Sequence, residues 1–213
     1  MARRGAFVSL EGIDGSGKST QAALLVDYLQ ELGVPVVSLR EPGGTPISEK
    51  IRRLLLDPAN AAMCDECELL LYEASRAQLV RQVIEPALAS GKVVVCDRFF
   101  DSTYAYQAAG RGLADALVRT CNELGSCGVR PDRTVVFDLD PELAFSRATR
   151  DGADRLESAG LAFQERVRAG YLRLAEEEPA RVRVVDASGS VDEVTTRLER
   201  ALADVLPQLG EGV

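Results

Sequence analysis

Residues 12–19 of this 213-residue chain read Gly-Ile-Asp-Gly-Ser-Gly-Lys-Ser, the spacing G-x-x-x-x-G-K-S. Glycines let a turn aim successive backbone N–H groups inward and let the main chain approach an anion closely. Lys18 is placed to reach the outer phosphates of a nucleotide, and the Ser19 hydroxyl to bind a divalent cation. An apolar run at 6–10 precedes the motif and a helical pattern at 21–32 follows it. That context adds the positive end of a helix dipole at the turn. The expectation is a nucleotide phosphate site formed by Gly12, Ile13, Asp14, Gly15, Ser16, Gly17, Lys18, Ser19 and Thr20.

Other clusters could do chemistry beside it. Residues 93–98, Val-Val-Val-Cys-Asp-Arg, are an apolar run ending in an acid and a base. Ligands of open α/β sheets bind beyond the carboxyl ends of strands, so Asp97 is placed to hold Mg²⁺ and Arg98 to clamp a phosphate. A surface ion pair is the plainer alternative. Arg40 and Glu41 precede a Pro-Gly-Gly turn, as a site wall could, and Arg52 lies on the helix that this turn feeds. Tyr72 and Arg76 stand four apart on the next helix and share a face. An aromatic ring and a guanidinium on one face can stack on a base and donate to its carbonyl, though a core tyrosine and a solvated arginine fit the same spacing. Ser102, Thr103, Tyr106 and Gln107 follow Asp97-Arg98 closely, and their types suit a nucleobase pocket. Arg147, Arg150 and Arg155 fall in an arginine-rich segment between two helices. It reads either as a solvated charged loop or as a flap that closes over phosphates.

The elements that must position these residues alternate regularly. Strand-like runs at 6–10, 35–39, 93–96, 134–139 and 181–185 are separated by helical patterns at 19–32, 47–56, 67–90, 113–126, 141–147, 161–177 and 191–206. Valine-rich strands bounded by helices imply a buried parallel sheet in a three-layer α/β fold. Glycine and proline cluster at 42–46 and 110–112, which read as functional loops within one domain. A net charge of −8 argues against a nucleic-acid-coating surface. No run is long enough for a membrane span and the N-terminus lacks a signal-peptide core, so a cytoplasmic protein is expected. The chain has no histidine, which excludes Ser-His-Asp and Cys-His mechanisms. Phosphoryl transfer to another phosphate survives this test, because the acceptor oxygen is already anionic and positioning carries the reaction. Five cysteines include a C-x-x-C at 64 and 67. They read as small semi-buried residues rather than a zinc site, with Cys121 on an apolar helix face beside Leu117 and Leu124.

The P-loop, Arg40-Glu-Pro-Gly-Gly-Thr45, Tyr72 with Arg76, Asp97-Arg98-Phe99, Ala105-Tyr-Gln107, Gly110-Arg-Gly112 and Asp154-Arg-Leu-Glu157 occur in one order and spacing. Jointly, and over essentially the whole chain, they resemble bacterial thymidylate kinase. The resemblance implies an α/β/α P-loop kinase fold with a five-stranded parallel sheet, one domain over 1–213 and a lid at about 147–157. It implies transfer of the γ-phosphoryl of ATP to dTMP with Mg²⁺, on the route to dTTP, by a homodimer. Gly12 to Thr20 should then hold the ATP phosphates, Ser19 and Asp97 the metal, and Arg52 and Arg98 the dTMP phosphate. Tyr72 stands where the family has a ring stacked on thymine, and Arg76 and Gln107 resemble the base-reading pair. Tyr106 resembles a tyrosine that crowds out a ribose 2′-hydroxyl. Asp14 resembles the P-loop carboxylate that faces the sugar and the metal region, and Glu41 resembles an acid beside the acceptor site, in a Glu-Pro bond that is often cis in the family. Gly15 stands where one arrangement of the family carries its catalytic arginine, so this chain resembles the other arrangement, with Arg147, Arg150 and Arg155 in the lid. A kinase for dUMP or another nucleoside monophosphate is the alternative. A P-loop switch protein should carry an N-K-x-D motif, and none of Lys18, Lys50 and Lys92 lies in one.

Overall fold

Valine and other β-branched side chains pack well on both faces of a pleated sheet, and here they do so in five short strands. β1 (Phe7–Glu11), β2 (Val36–Arg40), β3 (Val93–Asp97), β4 (Arg133–Asp138) and β5 (Val182–Asp186) form one parallel sheet in the order β2-β3-β1-β4-β5. The computed structural model describes residues 4–148 and 160–207. Side chains alternate across the sheet. Val8 and Leu10 join Val93 and Val95 in one apolar cluster, while Phe7 joins Val94 and Cys96 in another. The first cluster is covered by α1 (Lys18–Glu31), α8 (Leu161–Glu177) and α9 (Val191–Leu202). The second is covered by Leu79, Val80 and Ile84 of the helical run after β2. This is the three-layer α/β/α architecture expected from the alternation of strands and helices.

Register places the site. Leu10 pairs with Asp97 across β1 and β3, and Arg40 pairs with Asp97 across β2 and β3. The carboxyl ends of three strands therefore deliver Glu11-Gly12, Arg40-Glu41 and Asp97-Arg98 to one edge. α2 (Pro46–Leu56) starts just past the β2 turn, where the Thr45 side chain caps it by accepting from Ser48 N–H at 3.1 Å. The helix expected over 67–90 is helical throughout but not uniform. α3 (Asp65–Leu79) passes into a wider π turn at Val80–Ile84 and then α4 (Glu85–Ala89). Pro86 has no N–H to continue the regular ladder and its ring needs room in the preceding turn.

Residues 100–110, assigned to no helix or strand by the sequence pattern, form α5 (Phe100–Thr103) running into a π turn at Tyr104–Gly110. This segment is buried on nearly every side, so it lacks the amphipathic period that marks a surface helix. It lies close against α8: a Cβ on Gly170 would stand 2.7 Å from Ala109 Cβ, and one on Gly110 would stand 2.7 Å from the Phe163 ring. α6 (Asp115–Gly125) and α7 (Pro141–Ala148) complete the described helices. On the apolar face read at Leu117, Cys121 and Leu124, Cys121 is half-buried against the core as expected, but the two leucines are not buried. Leu124 is 78% exposed, and Leu117 and Leu70 of α3 are exposed with it. Cys64 and Cys67 are also exposed.

Candidate active site

The turn between β1 and α1 is shaped by backbone that only glycine adopts easily. Gly12 has φ 146° and Gly17, at the helix entrance, φ 86°. A Cβ on Gly12 would stand 2.8 Å from both the Phe137 carbonyl oxygen and Ser16 Oγ. Lys18 is buried, with Nζ 3.5 Å from the Ile13 carbonyl and 3.7 Å from Asp14 Oδ1. Burial and the neighbouring Arg98 charge lower its pKa. Ser16 Oγ is buried with no hydrogen-bond partner among the described residues. Thr20 follows on the first turn of α1. Such a turn presents N–H donors and a cation to an anion. Beside it the Ser19 hydroxyl donates to Asp97 Oδ2 at 2.5 Å, while Asp97 Oδ1 is buried without a partner among the described residues. A hydroxyl against a half-satisfied carboxylate is an oxygen donor set suited to Mg²⁺.

Arg98 is the centre of the charge network. Its backbone takes φ 74°, unusual for a residue with a side chain. Nη2 donates to Asp14 Oδ1 and, at 3.0 Å, to the Tyr106 hydroxyl. Nη1 donates to the Gly12 carbonyl at 3.0 Å, Ser102 Oγ at 3.1 Å and Tyr171 Oη at 3.2 Å. Tyr106 in turn donates to Asp14 Oδ2 at 2.9 Å. Burial alone would raise the Asp14 carboxyl, but the charges of Arg98 and Lys18 win and hold it at about 2. Burial pushes the Tyr106 hydroxyl well up, so it stays a neutral donor.

Asp14, Arg98, Ser102 and Tyr106 help line a cavity of about 550 Å³, part of it open to solvent. Glu41, Arg52, Tyr72, Arg76, Thr103 and Gln107 line it as well. Arg76 is not a solvated charge. It is 1% exposed and donates to Glu41 at 2.8 Å, Glu73 at 2.7 Å and Thr103 at 2.8 Å. Burial raises the Glu41 carboxyl to about 7 against the lowering effect of Arg76. Its Oε1 is buried without a hydrogen-bond partner among the described residues. The Glu41-Pro42 bond is cis, and Arg52 donates to the Pro42 carbonyl at 3.0 Å. Gln107 donates to Glu68 at 2.8 Å, a carboxylate also held by Arg111. The cavity is thus lined by aromatic, amide and guanidinium groups, and Arg98 ties it to Asp14 of the turn after β1.

Not every expected residue joins it. Arg40 does not line the cavity. It lies on a neighbouring depression with Ser19, Asp97 and Glu49, because β2 alternation turns its side chain toward Glu49, 3.1 Å away. Arg147 is exposed on α7, and Arg150 and Arg155 lie outside the described residues. Two residues of the network were not anticipated. Glu11 accepts from Phe99 N–H, Ser102 and Tyr171, and burial, then the Asp101 charge, raise its pKa. Its one visible sequence signal is a carboxylate ending an apolar strand. Tyr171 lies on α8 at core spacing from Phe163 and Val167, which hides the reach of its hydroxyl.

Known proteins resemble this chain over nearly its whole length. The sequence model of the family described as thymidylate kinase matches residues 10–198. The chain is 52% identical to the thymidylate kinase of Symbiobacterium thermophilum, covering 97% of this chain and 96% of that one. It is 48% identical to that of Pseudomonas syringae pv. tomato, covering 95% and 97%. The crystal structure of thymidylate kinase from Ehrlichia chaffeensis superposes with a TM-score of 0.76 at 36% identity, over 93% of this chain and 99% of that one. A match that spans nearly the full length in sequence and in fold leaves one conclusion: this chain belongs to the thymidylate kinase family.

Proposed function

We propose that the chain transfers the γ-phosphoryl group of ATP to dTMP, giving dTDP and ADP. The observation that carries this reading is the single cavity that joins Tyr72, Arg76 and Gln107 to Arg98 and Asp14 beside the P-loop. A nucleoside monophosphate laid along it has its base at the first group and its phosphate at the second. Residues 12–20 then cradle the ATP phosphates, and Lys18 neutralises their charge. Ser19 and Asp97 would hold Mg²⁺, which when bound neutralises phosphate charge and orients the oxygens. Arg98 and Arg52 take the acceptor phosphate. Tyr72 stacks on thymine, with Arg76, Gln107 and Thr103 near its polar edge. The Tyr106–Asp14 pair lies against the sugar, where a 2′-hydroxyl would be crowded.

At least one of Arg147, Arg150 and Arg155 supplies the catalytic arginine for the transferring phosphoryl, because the P-loop has Gly15 where one arrangement of the family carries it. One domain carries all of these parts, and ATP and dTMP are met in the cytoplasm. The active form is a homodimer joined through α3 and α6. Supporting this, Leu70, Leu117 and Leu124 form an exposed apolar face on these two helices, more naturally covered than left in water. An acceptor panel with ATP and Mg²⁺ tests the reading. kcat/KM for dTMP should exceed that for dCMP, dGMP and dAMP by orders of magnitude, since each buried group left unpaired costs about 1–3 kcal/mol. dUMP should trail by only about fivefold, for one methyl group worth roughly 1 kcal/mol. Comparable rates on dCMP refute the assignment.

A further inference from the structure

Glu11 does not line the acceptor cavity, yet four donors converge on its fully buried carboxylate at the end of β1. Oε1 accepts from Phe99 N–H at 2.6 Å and from the Ser9 hydroxyl at 2.7 Å. Oε2 accepts from the Ser102 hydroxyl at 2.5 Å and the Tyr171 hydroxyl at 3.0 Å. Burial and the Asp101 charge raise the Glu11 pKa, and the hydrogen bonds from Ser102 and Ser9 and the Arg98 charge oppose them in favour of the ionised form. The same two hydroxyl oxygens lie 3.1 and 3.2 Å from Arg98 Nη1. A guanidinium has only donors, and a hydroxyl has one proton. Of the two N–H groups on Nη1 one serves the Gly12 carbonyl, so the other is shared between the two hydroxyls, and both must turn lone pairs toward it. The two hydroxyls are also 2.8 Å apart, but a carboxylate draws their protons more strongly than a neutral oxygen does. With both protons committed to Glu11, both oxygens are free to accept from Arg98. Glu11 also holds the amide of Phe99, the residue that follows the left-handed backbone of Arg98.

We propose that Glu11 is the positioning residue for Arg98: it sets the polarity of the Ser102–Tyr171 hydroxyl pair and pins the backbone behind the guanidinium, so that Arg98 is pre-aimed at the acceptor phosphate. The relay runs from one strand end to the next through residues of β1, α5 and α8. It rests on the reading of Arg98 as the ligand of the dTMP phosphate. Glu11→Gln preserves shape but has one acceptor oxygen and one NH₂ in place of two acceptors. Either the hydroxyl pair or the Phe99 amide then faces a donor.

Calorimetric binding of dTMP and of thymidine, which lacks the phosphate, separates this role from general damage to the cavity. E11Q should weaken dTMP binding about tenfold, the size of one lost charge-assisted hydrogen bond, with thymidine binding unchanged. Y171F, which keeps the ring, should show a smaller loss in the same direction. In the R98Q background E11Q should add little, because the two act as one unit. If R98Q loses its preference for dTMP over thymidine while E11Q keeps wild-type affinity, Glu11 does not position Arg98. Equal losses for both ligands in E11Q overturn the inference too, since they locate the damage in the cavity at large. Should E11Q fail to fold, Y171F carries the comparison, and wild-type dTMP affinity in it overturns the relay. An R98Q protein that keeps the full preference refutes the phosphate reading of Arg98, and this inference falls with it.

Discussion

Glu41 makes the stability of this protein depend on pH in a direction opposite to that of most carboxylates. The carboxyl is 4% exposed and its pKa stands at about 7, raised from 4.5 by burial, with Arg76 opposing and Glu73 and Glu11 adding repulsion. Between those two values the folded protein keeps a proton that the unfolded chain has released. Raising the pH through that window therefore favours unfolding, by about 1.4 kcal/mol per pH unit. The contribution is fully present below the unfolded value and lost as pH climbs to about 7. Glu41→Gln removes the titration while retaining an oxygen for Arg76 Nε, now 2.8 Å from Glu41 Oε2. Relative to wild type, E41Q should gain about 2–3 kcal/mol of stability between about pH 5 and about pH 8. For a chain of this size that is a relative rise in Tm of roughly 5–10 °C. Thermal unfolding followed by circular dichroism, at constant ionic strength and several pH values, measures it directly. Parallel Tm profiles for the two proteins would show that Glu41 does not hold a proton in the folded state, and the argument from burial would fail.

Lys18→Ala should lower kcat by on the order of 10²–10³, the usual cost of a group that stabilises charge at the reacting centre, while calorimetric affinity for dTMP stays at the wild-type level. A matching loss of dTMP affinity would place Lys18 on the acceptor rather than on ATP. Alanine at Arg147, Arg150 and Arg155, one at a time, should reveal at least one position where kcat falls far more than KM for dTMP rises, the mark of a contact made in the transition state. Full kcat in all three variants would assign the catalytic cation elsewhere. Leu124→Glu, at a side chain already 78% exposed, should leave Tm of the subunit nearly unchanged but shift sedimentation from dimer to monomer. A wild-type protein that sediments as a monomer refutes the α3–α6 interface.

What could be learned from residues alone was what is local in the chain. The P-loop was legible because its chemistry needs glycines, a lysine and a serine at fixed spacing within eight residues. Asp97 and Arg98 could be assigned to the sheet edge because a valine run announces a buried strand and its carboxyl end faces the ligand side. Tyr72 and Arg76 were paired by helical spacing, and the alternation of periods predicted the layered fold. The tertiary structure decided everything that depends on partners distant in sequence. Glu11 and Tyr171 stand 160 residues apart and meet at 3.0 Å only because folding brings the end of β1 and α8 together beside Ser102. Residues 100–110 hid their helix because burial on all sides erases the amphipathic period. Arg40 has the type of a phosphate ligand, but strand alternation turns it to Glu49. Arg76 resembled an exposed cation, yet Glu41, 35 residues away, joins Glu73 of its own helix in holding it in the interior. A side chain's type is written at its own position, whereas its charge state and aim are set by neighbours that only folding assembles.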